Sequence, residues 1–266
     1  MSNDSAIEWT GSTWNPVSGC TKVSDGCDHC YAERITERFH GKGSFARVTL
    51  HPERLDMPLR WRKSRRVFVN SMSDLFHQDV PDEFIGSVFD VMARTPRHIF
   101  QILTKRHGRM RSLLNHWADD DWTWRRGDAM WCGPLRGPLS NVHLGVSVED
   151  QKAADLRLPA LERTPATVRF ISAEPLLGPV NLDRYLFQDR AGRPSISWVI
   201  VGGESGPGAR PLELDWVRSL VTQCQDAQVS VFVKQLGSVW AGRGKGGDMD
   251  AWPADLRVRE FPVVSS

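Results

Sequence analysis

The sequence predicts an α/β fold, an incomplete β/α barrel of six or seven strand-helix units. Three observations lead there. Six short apolar runs rich in β-branched residues recur at 67–70, 98–104, 142–148, 168–172, 198–201 and 229–233, the composition that suits strands. Turn residues and then a segment of helical periodicity follow most of them. That alternation calls for a parallel sheet, because parallel neighbours need a crossover and a helix supplies it. The runs are also near-continuous, as in Trp-Val-Ile-Val at 198–201, which fits strands buried on both faces. An open doubly wound sheet obeys the same alternation and stays as the alternative.

In chain order, residues 7–14 offer a strand ahead of the six, and helices are expected over 32–39, 81–94, 108–117, 151–161 and 214–227. Pro81 lies just inside its helix, where its missing N–H costs little. Residues 117–140 carry Trp117, Trp122, Trp124 and Trp131 among charged and Gly-Pro residues. That stretch is too long for an ordinary connection and reads as an inserted lid or recognition loop. From Gly237 the chain turns Gly-rich, which predicts a mobile tail. The expected organisation is therefore one domain over 1–236, interrupted by the Trp-rich insertion, with a tail over 237–266.

With 40% hydrophobic and 25% charged residues among 266, the chain can bury a sizeable core without disulfide staples. Residues 1–14 lack the charged-then-apolar pattern of an export signal, and no run of 18 apolar residues occurs. A soluble, cytoplasmic protein with no membrane partner is expected. A net charge of +2 is too small for a broad nucleic-acid field, so any such site must be local.

Three of the five cysteines, Cys20, Cys27 and Cys30, fall within eleven residues as C-x6-C-x2-C. In a chain without an export signal this spacing favours metal over disulfides. A C-x2-C pair brings two thiolates to one centre from a tight turn, while Gly19 and Gly26 allow the backbone reversals that bring the third around. A helix starting near Tyr31 would aim its N-terminal amides at the centre and favour thiolate over thiol. Three ligands fit an iron-sulfur cluster with one open iron. The alternative is zinc, with His29, His40, His51 or Cys132 as fourth ligand. Cys224, on an amphipathic helix, reads as core.

Nearly every apolar run gives way to polar residues at its C-terminal end: Asn70, Ser71, Ser73 and Asp74; Thr104, Lys105 and Arg106; Ser147 and Glu149; Glu174; Glu204 and Ser205; Lys234 and Gln235. In β/α barrels the active site is built at that end of the strands. Lys105, Glu174, Glu204 and Lys234 are the candidate catalytic groups. Lys105, Arg106 and Lys234 would attract an anionic substrate or phosphate, with Glu174 and Glu204 as ion-pair partners in a purely structural reading.

Asn15 to Arg34, Ser71-Met-Ser-Asp-Leu-Phe-His77, Leu103-Thr-Lys-Arg106, Leu144-Gly-Val-Ser-Val-Glu149, Ser172-Ala-Glu-Pro-Leu-Leu-Gly-Pro179, Val201-Gly-Gly-Glu-Ser-Gly206 and Val233-Lys-Gln235 together resemble the phage-associated three-cysteine-motif family of unknown function. That family is similar to divergent radical S-adenosylmethionine proteins nearest the spore photoproduct lyase type, whose cysteine loop also ends in Cys-Tyr-Ala. The resemblance implies a partial barrel of the radical type and a 4Fe-4S cluster whose open iron takes S-adenosylmethionine. An electron donor would then release a 5'-deoxyadenosyl radical. It also implies cofactor contacts at Ser71, Ser73 and Asp74 for the ammonium group, at Thr104 beside them, and at Ser147 and Glu149 for the ribose. A nucleic-acid or nucleotide-like substrate, as in DNA repair or nucleic-acid modification, follows from the same likeness. The radical motif is usually C-x3-C-x2-C, whereas six residues separate Cys20 from Cys27 here. Gly202-Gly203-Glu204 follows too late a strand to inherit the ammonium-binding role. The competing reading is an iron-sulfur or zinc protein that acts as a nucleic-acid-binding, sensor or interaction module without radical chemistry.

Residues 60–66, Arg-Trp-Arg-Lys-Ser-Arg-Arg, place five basic residues in seven around Trp61. Such a cluster suits phosphate contact with an aromatic stacked on a base, or a solvated lead-in to the next strand.

Overall fold

The computed structural model describes residues 5, 7–119, 123–126, 129–132, 137–186 and 195–262. In chain order the elements are β1 (Ser12–Trp14), β2 (Val17–Ser18), α1 (Tyr31–His40), β3 (Thr49–Leu50), β4 (Arg66–Val69), α2 (Asp82–Ala93), β5 (Ile99–Thr104) and α3 (His107–Asp119). They continue as β6 (Thr123–Arg126), β7 (Ala129–Cys132), β8 (Val142–Ser147), α4 (Gln151–Glu162), β9 (Val168–Ala173), α5 (Asp183–Leu186), β10 (Trp198–Gly202), α6 (Leu214–Asp226), β11 (Ser230–Gln235) and α7 (Gly237–Ala241). α2 begins one residue later than expected, with Pro81 at its N-cap.

Seven strands form a parallel sheet in the order β1-β4-β5-β8-β9-β10-β11. A doubly wound sheet reverses its order at a switch point. Here each later strand of the sheet adds on the same side, which is the winding of an incomplete barrel and decides against the alternative. Burial on both faces is plainest in β8 and β10, where all six and all five residues are buried.

The chain forms two compact units, Met1–Lys22 with Tyr31–Gly145 and Arg163–Thr167, and Val23–Cys30 with Val146–Glu162 and Val168–Ser266. The first centres on β4 and β5, with Trp14 tilted on Phe100 at 5.8 Å and Trp9 on Phe68 at 4.6 Å. Trp117 belongs to this core rather than to a lid. It lies on α3, 5% exposed, edge-on to Phe89 at 5.1 Å. The insertion proper begins after α3 and contains the antiparallel pair β6 and β7, in register at Trp124 and Trp131. Trp122 and the other lid residues at 120–121, 127–128 and 133–136 lie outside the described residues. Trp61 is also core, edge-on to His98 at 5.6 Å, so it does not stack on bases as the sequence suggested.

The second unit packs Trp198 against Phe170 at 5.5 Å and takes in the tail. Expected to be mobile, the tail instead covers β11. Val233 N donates to Val258 O at 2.9 Å and Glu260 N to Val231 O at 2.9 Å, while Trp252 and Leu256 are buried. These two apolar side chains outweigh the Gly-rich stretch before them. No helix among the described residues is long and apolar enough to cross a membrane.

Candidate functional site

The chain enters the cysteine loop from β2, and its first part is held by the strand ends of the first unit. Gly19 adopts φ +84°, and a Cβ there would lie 2.1 Å from the Arg47 carbonyl oxygen, so only glycine fits. Its N–H donates to Met72 O at 3.1 Å, and Cys20 N donates to Phe45 O at 2.8 Å. Ser73 Oγ donates to Val17 O at 2.9 Å. Arg106 then reaches the cysteine itself. Its Nη1 donates to Cys20 Sγ at 3.6 Å, and its Nη2 to Thr21 O at 3.1 Å and Thr21 Oγ1 at 2.9 Å. The Cys20 sulfur also donates to Thr21 O at 3.5 Å, so the guanidinium meets it as a thiol. Buried Asp74 aims that guanidinium. Its carboxylate accepts from Thr104 Oγ1 at 2.7 Å, Lys105 N at 3.1 Å, Phe76 N at 3.0 Å and Arg106 Nη1 at 3.5 Å. His77 completes the support from full burial. Asp79 N donates to its Nδ1 at 3.2 Å, so Nε2 carries the proton that bonds Thr21 Oγ1 at 2.8 Å. Desolvation first, then the nearby Arg106 cation, lowers its pKa and keeps the ring neutral.

The second part of the loop is held by the strand ends of the second unit. Beyond β8, buried Glu149 pairs with buried Arg157 of α4 at 2.7 Å and accepts from Ser24 Oγ at 2.7 Å. Gly26 lies on that carboxylate so closely that a Cβ would fall 2.4 Å from it. Beyond β10, the Glu204 side chain, 5% exposed, forms a forked pair with Arg210. Nη2 donates to Oε1 at 2.8 Å and Nε to Oε2 at 3.0 Å, and the Arg210 backbone N–H adds a third bond at 2.8 Å. His29 Nδ1 sits 2.9 Å from the same carboxylate. Arg210 continues to Asp25 O at 2.7 Å and Asp28 Oδ2 at 3.4 Å. Burial alone would raise the Glu204 pKa, but the bonds from Arg210 and then His29 overcome it and bring it down to about 2. Glu204 is ionised at any physiological pH.

These contacts define what the predicted site residues do. Asp74, Thr104, Glu149 and Glu204 spend their polar atoms on the loop and its supports. Ser71 Oγ donates to Asn15 Oδ1 at 3.2 Å, and Ser71 O accepts from Tyr31 Oη at 2.5 Å. Ser147 is buried and its carbonyl accepts from Arg157 at 2.8 Å. A separate polar group stands just past β9 and at the C-terminal end of β11. Lys234 Nζ bonds Glu174 Oε1 at 2.6 Å, Gln235 Nε2 bonds it at 2.9 Å, and Gly202 packs on the same carboxylate. Lys105 is half-buried beside Asp74. Sequence reasoning missed Arg157, Arg210, Ser24 and Thr21. The available signal was an acidic strand end followed by an arginine within the next turn or helix.

None of Cys20, Cys27 and Cys30 is in a disulfide, and all three are half-buried. Three reduced thiols in one loop, with an arginine on one sulfur and α1 starting directly after Cys30, suit a thiolate-bound metal group. Among the described residues, no group of three or more His, Cys, Asp or Glu side chains is gathered to hold a metal ion. The fit is therefore one of donor chemistry and not of preformed geometry. Two of the expected zinc ligands are already engaged, His29 with Glu204 and His51 with Ser18 Oγ at 2.8 Å.

A family model described as a protein of unknown function, DUF5131, matches residues 4–251. The chain belongs to the DUF5131 family. No curated protein and no solved structure matches it. The matched span contains the whole cysteine loop and both sets of residues that hold it, so this DUF5131 chain presents the loop and its supports within one family unit.

Proposed function

We propose that this DUF5131 protein is an iron-sulfur enzyme of the radical S-adenosylmethionine kind, with Cys20, Cys27 and Cys30 as cluster ligands and a nucleic-acid or nucleotide-like substrate. The observation that carries the reading is the amount of buried charge devoted to one short loop. Glu149 with Arg157 is a desolvated ion pair, and Glu204 with Arg210 pairs a buried carboxylate with a half-buried guanidinium; such pairs contribute little net stability by themselves and are retained where a particular conformation is needed. Here that conformation is the cysteine loop. When bound, a 4Fe-4S cluster would supply one electron and an open iron position for S-adenosylmethionine.

The chain's own residues do the rest. Arg106 contacts the Cys20 sulfur, Asp74 and Thr104 aim Arg106, and Arg210, clasped by Glu204, holds the backbone at Asp25 and the side chain of Asp28. Within the second unit, the Glu174–Lys234 pair is the candidate to meet an anionic substrate. The engagement of Asp74 and Glu149 favours a second reading, a cluster-bearing binding or sensor protein without radical chemistry, because the carboxylates expected to hold the cofactor already hold the protein. Incubating the anaerobic, dithionite-reduced protein with S-adenosylmethionine separates the two. Release of 5'-deoxyadenosine supports the enzyme, and an intact cluster that releases none refutes the radical step and leaves the second reading.

A further inference from the structure

The basic segment at 60–66 has no part in the cysteine loop, and the first unit gives it a place of its own. Five of its seven residues are Arg or Lys, in a chain whose net charge is only +2. The structure divides them. Trp61 points into the core, and Arg65 lies over its ring at 5.3 Å and donates to Ser12 Oγ at 2.9 Å. Arg60, Arg62 and Lys63 are exposed, as is Arg66, which already belongs to β4. The backbone beneath them is fastened. Arg97 donates to Leu59 O at 3.2 Å and to Trp61 O at 2.8 Å, Ser64 Oγ donates to Arg97 O at 2.6 Å, and Ile99 N donates to Arg65 O at 2.9 Å. Cations on a fixed backbone forgo much of the ordering cost that a flexible basic tail would meet on binding.

The segment leads into the N-terminal end of β4, which pairs with β5 from Arg66 and Ile99 onward. Asp74 and Thr104 lie at the other end of these strands, and the six residues of β5 separate the two ends by roughly 18 Å. The ledge is therefore distinct from the polar strand ends of the same unit.

We propose that Arg60, Arg62 and Lys63 form a docking ledge for the phosphate backbone of duplex nucleic acid. Closely spaced exposed cations recognise the regular phosphate charge of a duplex without reading sequence. Single strands are bound by pairing cations with exposed aromatic rings, and the one aromatic of this segment is buried. Peripheral membrane attachment by a short basic segment needs apolar side chains to insert. The large exposed hydrophobic residues of the described chain, such as Tyr31, Ile35, Phe39 and Leu156, lie elsewhere in the sequence. The ledge goes beyond the proposed cluster chemistry and does not depend on it.

The test is fluorescence anisotropy of the full chain with a labelled, random-sequence DNA duplex across a series of salt concentrations. Two triple variants are compared with it, Arg60→Gln/Arg62→Gln/Lys63→Gln and the charge-reversed Arg60→Glu/Arg62→Glu/Lys63→Glu. Neutralising three phosphate contacts should flatten the slope of log K against log salt by about 2 to 3, and the reversed variant should bind still more weakly. Metal content and melting temperature should stay as in the unsubstituted protein, which keeps this result separate from the fate of the cluster. An unchanged salt slope in both variants overturns the proposal. So does a preference for single-stranded DNA or for anionic phospholipid vesicles over the duplex.

Discussion

Replacing Arg210 by Met removes the cation of the Glu204 clasp while keeping most of the stem's volume. The Glu204 carboxylate, 5% exposed, is then left with His29 and one backbone N–H, and the loop loses its bonds to Asp25 O and Asp28. Stripping the partner from a fully buried ion pair costs about 3–5 kcal/mol. Arg210 itself is 31% exposed, so water recovers part of that, and about 2 kcal/mol is the expected loss. Because the lost contacts are local, the penalty should appear as easier opening of residues 23–30 rather than as global unfolding. Hydrogen exchange followed by mass spectrometry should show amides of that segment exchanging roughly thirtyfold faster, the equivalent of 2 kcal/mol. Glu204→Gln should give a similar acceleration, and the double variant little more than either alone, since both remove one interaction. Unchanged protection in Arg210→Met, or fully additive effects, would refute the claim that this pair holds the loop.

Gly26→Ala places a methyl 2.4 Å from the Glu149 side chain. It should displace the loop and lower iron per chain severalfold while the melting temperature moves little, and full iron loading in this variant would count against close packing on Glu149. Stability should also fall with acid. His77, His98 and His143 all have pKa values lowered by burial, His143 to about 4. They are neutral in the fold and take up protons on unfolding once the pH drops below 6.5, so their contribution is whole above that value and lost as pH approaches the folded pKa. For His143, the fall from 6.5 to about 4 corresponds to roughly 3 kcal/mol. Denaturation midpoints measured between pH 7 and 4 should therefore decline, and His143→Leu should flatten the decline; an identical pH profile in that variant would contradict the assignment.

The strand-helix alternation was legible because parallel strands buried on both faces leave long apolar runs, and the helix limits follow from the same periodicity. Strand order needed the structure, since open and barrel-like sheets share one alternation. Trp61 and Trp117 show a second limit. An aromatic among charged residues reads the same whether its ring points into the core or into solvent, and only the packing against His98 and Phe89 decides. The cysteine loop was visible as spacing, and the acidic strand ends were visible as composition. Their relation was not. Ser24 meets Glu149 across 125 residues and His29 meets Glu204 across 175, and no local pattern carries pairings that distant. Carboxylates that looked ready to hold a cofactor are, in the fold, the anchors of the loop that would ligate the cluster.

The most direct test of the account is the metal and acid-labile sulfide content of the anaerobically purified chain, beside a Cys20→Ala/Cys27→Ala/Cys30→Ala variant. The account predicts about four iron and about four sulfide per chain, both lost in the triple variant. A single zinc without sulfide, or iron and sulfide that survive removal of all three cysteines, would contradict it.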